Sequence, residues 1–218
     1  MTRLVPNRFL FDFEFPLRYR AKTPRITGAL ADWSDADLLP DWGALDDQPA
    51  FGTLWAVWND DGIAVACRVD GKSAPPQCRP ATFWKGDNLR LCLDLRDTRT
   101  IRRASRHCQQ FYLLPTGGGK TRGQPVAGTS PIHRARAASP SAPAGSINIA
   151  AAIDDDSYQL EAHIPARVLA GFDPHEHPRI GFFYMLEDLE LGQQALTVGD
   201  DLSWHIDPST WPTAVLTR

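Results

Sequence analysis

Apolar and polar residues alternate with a period of two along much of the chain, and this period predicts β-strands. In the segment FWKGDNLRLCLDLRD every second residue from Leu89 to Leu95 is a leucine, and mostly polar residues lie between them. TLWAVW and GIAVACRV flank residues 59–61, and SINIAAAID and SYQLEAHIP flank residues 154–156. A short polar turn between two apolar segments is typical of a β-hairpin. We therefore expect one half-buried strand and two hairpins here.

Three other segments complete the predicted elements. Phenylalanines occupy alternate positions from Phe9 to Phe15, which predicts an opening strand with one aromatic face. The segment PARVLAGF begins with proline and has Gly171 near its end, so it predicts one short helix of about two turns. Residues 115–145 consist mainly of Gly, Pro, Ser, Ala and basic side chains. This composition predicts a long mobile loop.

The succession of these elements indicates the fold class. Strands dominate, a turn follows roughly every ten residues, and strands do not alternate with helices as they would in βαβ units. Hydrophobic residues make up 43% of the chain and charged residues 22%, which gives enough apolar bulk for a core. The sequence predicts a single all-β domain over residues 1–218, an antiparallel β-sandwich with one short helix.

The formal net charge of −3 gives no general attraction to nucleic acid or to an anionic membrane surface. No segment approaches the roughly 20 apolar residues of a membrane-spanning helix. Asp12 and Glu14 interrupt the apolar N-terminal segment, so we expect no export signal and a cytoplasmic location. A bridge between Cys78 and Cys108 is an alternative to four free thiols. The expected partner is a neutral ligand, with neither nucleic acid nor membrane.

Six segments carry a pattern that can be compared with known families: PRITGALADW, WNDDGIAVACRVDG, FWKGDNLRLCLDL, YQLEAHIP, RIGFFYMLED and LSWHIDPSTWPTAVL. In order and spacing they resemble the family 9 carbohydrate-binding modules and related DOMON-like β-sandwiches, over about residues 24–218. Thr27 stands where the family's Pro-x-Ile-Asp-Gly opening has Asp. The resemblance implies the same β-sandwich fold and non-catalytic binding of a glycan end or another small sugar.

The resemblance also implies a binding site. In sugar-binding members of the family, two tryptophans clamp the terminal sugar, and polar side chains beside them bind its hydroxyl groups. The corresponding residues here are Trp84 and Trp204 for the clamp, with Arg90, Gln110, Tyr112 and Asp201 beside it. Arg90 stands where a Glu is usual, and Tyr112 where an Arg is usual. The cation of Arg90 predicts a preference for acidic sugars such as uronic acids.

Other functions stay open on the sequence alone. A glycoside-active enzyme would use carboxylates of the turns at 60–61, 154–156 and 200–201, although no nucleophile motif accompanies them. A protein-interaction module would need no ligand at all. His175 and His177 lie on a turn without a third ligand nearby, so we expect no metal site there.

Haem binding is a further alternative, because some DOMON-type proteins bind haem through a Met and a His. Met185 would be the methionine, and the candidate histidines are His107, His163 and His205. A methionine in an apolar strand more often fills a core, so the sequence predicts no cofactor.

Overall fold

The computed structural model describes residues 5–218, except for the side chain of Asp201. Within this range the chain forms eleven strands and seven short 3₁₀ helices, and no helix is long and apolar enough to span a membrane. The strands are β1 Glu14–Tyr19, β2 Gly52–Asn59, β3 Gly62–Asp70, β4 Asn88–Asp94, β5 Cys108–Gly118, β6 Gln124–Ser130, β7 Asn148–Ile153, β8 Ser157–Pro165, β9 Arg179–Asp188, β10 Gly192–Ala195 and β11 Thr213–Thr217. The 3₁₀ helices are Asn7–Phe9, Asp35–Asp37, Gly43–Asp46, Pro80–Lys85, Ala166–Val168, Asp200–Leu202 and Pro208–Thr210.

The described strands belong to one sheet, which folds over on itself into two layers. Along the hydrogen-bonded path the order is β6-β5-β4-β9-β11-β1-β2-β3-β8-β7, and β10 pairs with β9. The two ends of the path face each other, because β5 contacts β7 and β8, and β6 contacts β7. Most pairs are antiparallel, while β1 runs parallel to both β2 and β11. The predicted β-sandwich is therefore confirmed, with two parallel pairs around β1.

One hydrophobic core lies between the layers. The alternate leucines of β4 belong to it, with Leu91 opposite Phe111 of β5 and Leu93 opposite Phe182 of β9. All residues of β4 are buried, so the face of β4 turned away from the core is covered as well. The strand that we expected to be half-buried is thus buried on both sides, and its covered outer face forms part of the candidate site.

Both predicted hairpins are confirmed, since β2 pairs with β3 and β7 with β8 across the two acidic turns. The predicted opening strand is displaced. Residues 7–9 form a 3₁₀ helix, and β1 begins only at Glu14, where β11 lies alongside as a partner. The predicted short helix is present as a single 3₁₀ turn, Ala166–Val168. It ends there because Leu169 is already extended and Gly171 adopts a left-handed φ of 85°.

The predicted loop at 115–145 is wrong for about its first half. β5 continues to Gly118, and residues 124–130 form β6, which pairs with β5 in antiparallel register. Pairing with an existing strand satisfies the backbone groups of a segment whose own side chains bury little apolar area. Residues 131–145 are irregular, as the composition predicts.

All four cysteines are free thiols. Burial raises the pKa of Cys67 to about 12 and that of Cys108 to about 11. Both thiols therefore stay protonated at neutral pH and pack as small hydrophobic groups. The alternative of a bridge between Cys78 and Cys108 is not realised.

Candidate functional site

The outer face of β4, β5 and β9 carries a group of polar side chains. Residues directly opposite each other in paired strands lie on the same face of a sheet. Arg90 of β4 lies opposite Tyr112 of β5, and Gln110 follows on the same face two residues away. Glu187 of β9 falls on this face too, opposite the residue two before Arg90. Because the leucines of β4 occupy the core face, these polar side chains face away from the core.

A cavity of about 390 Å³ lies against this polar face, and we call it the Trp84 cavity. Its lining includes four of the residues predicted for the site: Trp84, Arg90, Gln110 and Trp204. Trp84 comes from the 3₁₀ helix before β4, whereas Trp204 comes from the irregular chain before β11. The fold therefore brings together residues that are far apart in sequence.

Trp84 borders the cavity with 47% of its surface exposed. Its ring meets the ring of Phe83 edge to face, at a centroid distance of 5.2 Å. Phe83 in turn lies nearly parallel to Tyr112, at 4.5 Å and an interplanar angle of 14°. Gly128 makes room for this arrangement, because a Cβ there would overlap the Tyr112 hydroxyl. The contacting rings support the Trp84 indole and leave much of it open to solvent.

Trp204 is fully buried. Its indole stacks on Phe183 at 5.1 Å, and the Arg90 guanidinium lies 4.7 Å from its ring centre. Two groups of this size cannot share one face of a ring, so both faces of the indole are covered. Nε1 of Trp204 donates a hydrogen bond to Oδ1 of Asp200 at 2.9 Å. This arrangement corrects the expected clamp of two open tryptophans, because only Trp84 offers exposed ring surface.

Arg90 is held from two sides and is only 8% exposed. It forms an ion pair with Glu187 as well as its contact with Trp204. Burial lowers the pKa of the Arg90 guanidinium, and the charge of Glu187 acts in the opposite direction. An arginine side chain nevertheless keeps its proton in a protein. The positive charge of Arg90 is therefore already neutralised by a neighbouring carboxylate.

The remaining predicted residues differ in their positions. Gln110 lines the cavity and is only 6% exposed, yet its carboxamide has no hydrogen-bond partner among the described residues. Tyr112 lies against Phe83 and supports the site from behind, without being part of the cavity lining. The side chain of Asp201 lies outside the described part of the structure, so its proposed contact stays a prediction.

Six polar residues of the lining were not among the predicted site residues: Ser130, His133, Glu187, Gln193, Asp200 and His205. Glu187 could have been found from the alternation along RIGFFYMLED, which places it on the face opposite to the core. Asp200 was noted only as a turn carboxylate. His133 follows β6, in a stretch where the composition predicts only a loop, and no local pattern marks it.

Two of the residues considered for haem, Met185 and His107, are engaged in packing or in a hydrogen bond to the backbone. Met185 is fully buried on the outer face of β9, directly opposite Arg90 of β4. His107 donates from Nδ1 to the backbone carbonyl of Ala170 at 2.8 Å, and of the three histidines only His205 lines the Trp84 cavity. In the described part of the chain, no group of three or more His, Cys, Asp or Glu side chains could hold a metal ion. Met185 is therefore a packing residue.

The fold and the cavity together define a β-sandwich domain with an aromatic and polar cleft on one sheet face. Its fold is that of a family 9 carbohydrate-binding module from Caldicellulosiruptor kristjanssonii in complex with cellotriose, with a TM-score of 0.63 and 13% identity over 94% of each chain. A family 9 module from the same organism in complex with glucose has a TM-score of 0.62 and 14% sequence identity, over 94% of this chain and 96% of the other.

A third solved structure with this fold is a candidate carbohydrate-binding protein from Bacteroides uniformis ATCC 8492. Its TM-score is 0.62 and its sequence identity 11%, over 95% of this chain and 100% of the other. Neither a protein-family model nor a curated protein matches the sequence. The fold predicted from the resemblance is thus confirmed by structural similarity.

Proposed function

We propose that the protein is a non-catalytic carbohydrate-binding protein and that a sugar binds in the Trp84 cavity. The observation that carries the proposal is the exposed Trp84 indole beside a cavity rich in hydrogen-bonding groups. A sugar ring needs both, because its faces carry C–H groups and its edge carries hydroxyl groups. The shared fold supports the same class of ligand, since two of the similar structures hold cellotriose or glucose.

Trp84 supplies the apolar contact in this proposal. Its edge-to-face contact with Phe83 supports the ring before a ligand arrives, so little side-chain freedom is lost on binding. Apolar area that a sugar covers contributes about 25 cal/mol per Å², and contact with the aromatic face adds of order 1 kcal/mol. This contribution involves no charge and suits a neutral ring.

Gln110 supplies the hydroxyl recognition. Its carboxamide offers two N–H donors and one carbonyl acceptor, and none of them is used by the described residues. Because Gln110 lines the cavity, a ligand hydroxyl can reach the carboxamide and bind it as donor or acceptor. The ion pair of Arg90 and Glu187 lies on the same face and offers further donors and acceptors. In this arrangement Trp204 serves as the support under Arg90, and Trp84 contacts the sugar.

The charges of the lining favour a neutral sugar over an acidic one. Arg90 is neutralised by Glu187, and Asp200 adds a second carboxylate to the lining. The carboxylate of a uronic acid would meet two like charges and one opposite charge, which disfavours it. We therefore expect neutral sugars to bind at least as tightly as uronic acids, in contrast to the preference predicted from Arg90 alone.

Both carboxylates of the cavity are engaged by protein donors. Glu187 accepts from Arg90 and from Nε2 of Gln193 at 3.4 Å, and Asp200 accepts from Trp204 and from the same Nε2 at 3.2 Å. Glycoside hydrolysis requires one carboxyl to donate a proton while the other acts as base or nucleophile. Carboxylates fixed in structural bonds support binding rather than catalysis. The enzyme alternative predicts the release of reducing sugar when the protein is incubated with oligosaccharides.

A glycan array, followed by calorimetry on each hit, tests the proposal. We expect the wild type to bind at least one neutral sugar and Trp84→Ala to lose measurable binding. Trp84→Phe keeps an aromatic face and should retain part of the affinity. Phe11→Ala is the control, since it removes another exposed aromatic ring, 62% exposed, that is not part of the cavity. Absence of any sugar ligand, or undiminished binding by Trp84→Ala, would contradict the proposal.

A further inference from the structure

A small cavity of about 150 Å³ lies where the N-terminal segment meets the chain that leads into the last strand. Its lining comes from residues within 8–13, 197–202 and 209–212, together with Arg99, and we call it the N-terminal cavity. Among the described residues it shares no lining residue with the Trp84 cavity. The proposed sugar site therefore leaves this space unused.

Thr197 places a buried hydroxyl group in the wall of the N-terminal cavity. The residue is only 3% exposed and belongs to the lining, and its Oγ1 has no hydrogen-bond partner among the described residues. Two other hydroxyl groups of the lining show the usual arrangement. Oγ of Ser209 donates to Oδ1 of Asp207 at 2.6 Å, and Oγ1 of Thr210 donates to the backbone carbonyl of the same aspartate at 2.8 Å. Because buried polar groups are normally paired in this way, the unpaired Thr197 hydroxyl points to a polar atom of a ligand.

Two arginine side chains give the lining a positive charge. The Arg8 side chain is only 16% exposed, and its buried Nε has no hydrogen-bond partner among the described residues. Its ion-pair partner Asp46 lies 3.6 Å away and is not part of the lining. Arg99 bonds Asp12 at 2.9 Å, but the Asp12 side chain is 92% exposed, so water largely screens its charge. The lining therefore contains two guanidinium groups and one solvated carboxylate, a balance that favours an anion.

The rest of the lining is mainly apolar and includes Phe9, Phe13, Val198, Leu202 and Pro212. The Phe13 ring is fixed by its nearly parallel contact with Trp42, at a centroid distance of 4.3 Å. An inorganic anion would lose water to these side chains without gaining hydrogen bonds from them. A carboxylate that carries an apolar group fits better, because its charge can bind the guanidinium groups while its apolar group covers the rings. The volume lies below the range of about 300–1,000 Å³ for drug-sized ligands, so the ligand is small.

We propose that the N-terminal cavity binds a small organic carboxylate with an apolar group, such as benzoate or propionate. The carboxylate binds the guanidinium groups of Arg8 and Arg99 and accepts a hydrogen bond from Thr197, while the apolar group covers Phe9 and Phe13. The fork of an arginine matches the two oxygens of a carboxylate, which adds to the attraction of the charges. Such a ligand joins the N-terminal segment to residues 197–212 and so stabilises the folded chain. This binding is independent of the proposed function.

Calorimetry with four probes tests this inference: benzoate, propionate, benzamide and inorganic phosphate, all at one ionic strength. Benzamide keeps the ring and removes the charge, whereas phosphate keeps the charge and removes the apolar group. Thr197→Val removes the hydroxyl group at nearly constant shape, and Arg8→Gln removes a cation. The matched controls are Thr100→Val and Arg106→Gln, which make the same changes at exposed positions outside the N-terminal cavity and the Trp84 cavity.

We expect benzoate to bind with a Kd of about 1 mM or below, and benzamide and phosphate to bind at least about tenfold more weakly. At about 10 mM, benzoate should raise Tm by roughly 2–5 °C, because it binds only the folded chain. Thr197→Val and Arg8→Gln should each weaken benzoate binding about tenfold. Both control variants should bind benzoate as the wild type does.

The site would be overturned if neither benzoate nor propionate bound at about 10 mM, or if benzamide bound as tightly as benzoate. Benzoate binding that is unchanged in both Thr197→Val and Arg8→Gln would overturn it as well, and so would phosphate that binds more tightly than benzoate. A neutral sugar that displaces benzoate would assign benzoate to the Trp84 cavity and reject this site. The selectivity of the wild type among the four probes decides the matter even if a variant does not fold. Absence of sugar binding would count against the proposed function alone.

Discussion

Trp204 and Trp84 should respond differently to truncation, because one lies in the protein interior and the other borders a cavity. Trp204→Ala removes a fully buried indole, uncovers Phe183, and leaves Asp200 without its indole donor. Truncation of a buried Trp costs about 3–5 kcal/mol. In a domain of this length each kcal/mol lowers Tm by about 2–4 °C, so we expect a loss of roughly 6–20 °C.

Trp84→Ala removes a ring that is already 47% exposed and leaves no enclosed void. Roughly half of the apolar area is lost compared with a buried Trp, so we expect a cost of about 1–2 kcal/mol together with the loss of sugar binding. Differential scanning calorimetry of both variants measures the contrast, with Trp84→Phe as the control. A Trp204→Ala protein that melts within about 2 °C of the wild type, or above Trp84→Ala, would refute the assignment of these roles.

Three further predictions concern stability and the support of the site. Lys72 lies in the interior and bonds Asp188 at 2.6 Å and Asp87 at 3.4 Å, so Lys72→Met leaves two buried carboxyl groups without their cation. Urea titration should show a loss of about 3–5 kcal/mol, and a loss below about 1 kcal/mol would count against the ion pairs. Burial lowers the pKa of His163, so the unfolded chain takes up the proton first and the free energy of unfolding should fall as pH decreases below about 6.5. In His163→Gln this part of the pH dependence of the free energy of unfolding should be missing. A pH dependence that is the same in the variant and the wild type would exclude the role of His163. Gly128→Ala displaces the Tyr112 ring, on which Phe83 stacks, and should weaken sugar binding in calorimetry. Gly123→Ala has space for the added carbon and should bind as the wild type does.

Much of the fold could be predicted because its signals are local. The alternate leucines of β4 and the acidic turns of the two hairpins lie within short segments, and the structure confirms them. The strand β6 could not be predicted, since its own composition is that of a loop and it is ordered by pairing with β5. The alternation from Phe9 to Phe15 predicted a strand that is only partly present, because a strand also needs a pairing partner. Only Phe15 lies in β1, which pairs with β11 and β2.

The candidate site divides in the same way. Trp84 and Arg90 lie in one short segment, so the resemblance could predict both as site residues, and both line the Trp84 cavity. The burial of Trp204 depends on its contacts with Phe183 and Arg90, from two different strands. No pattern within one segment contains that information. For the same reason the ion pair between Arg90 and Glu187, and with it the charge of the lining, emerged only from the pairing of β4 with β9.

The most direct test of sugar binding beside Trp84 is ¹H–¹⁵N NMR of the tryptophan indole N–H groups. The chain has seven tryptophans, and the signal that Trp84→Phe removes identifies Trp84. On titration with a neutral sugar selected by the array, we predict that this signal shifts with the affinity measured by calorimetry. The signals of the buried Trp58 and Trp211 should stay in place. A sugar that binds while the Trp84 signal does not move would contradict the proposed site.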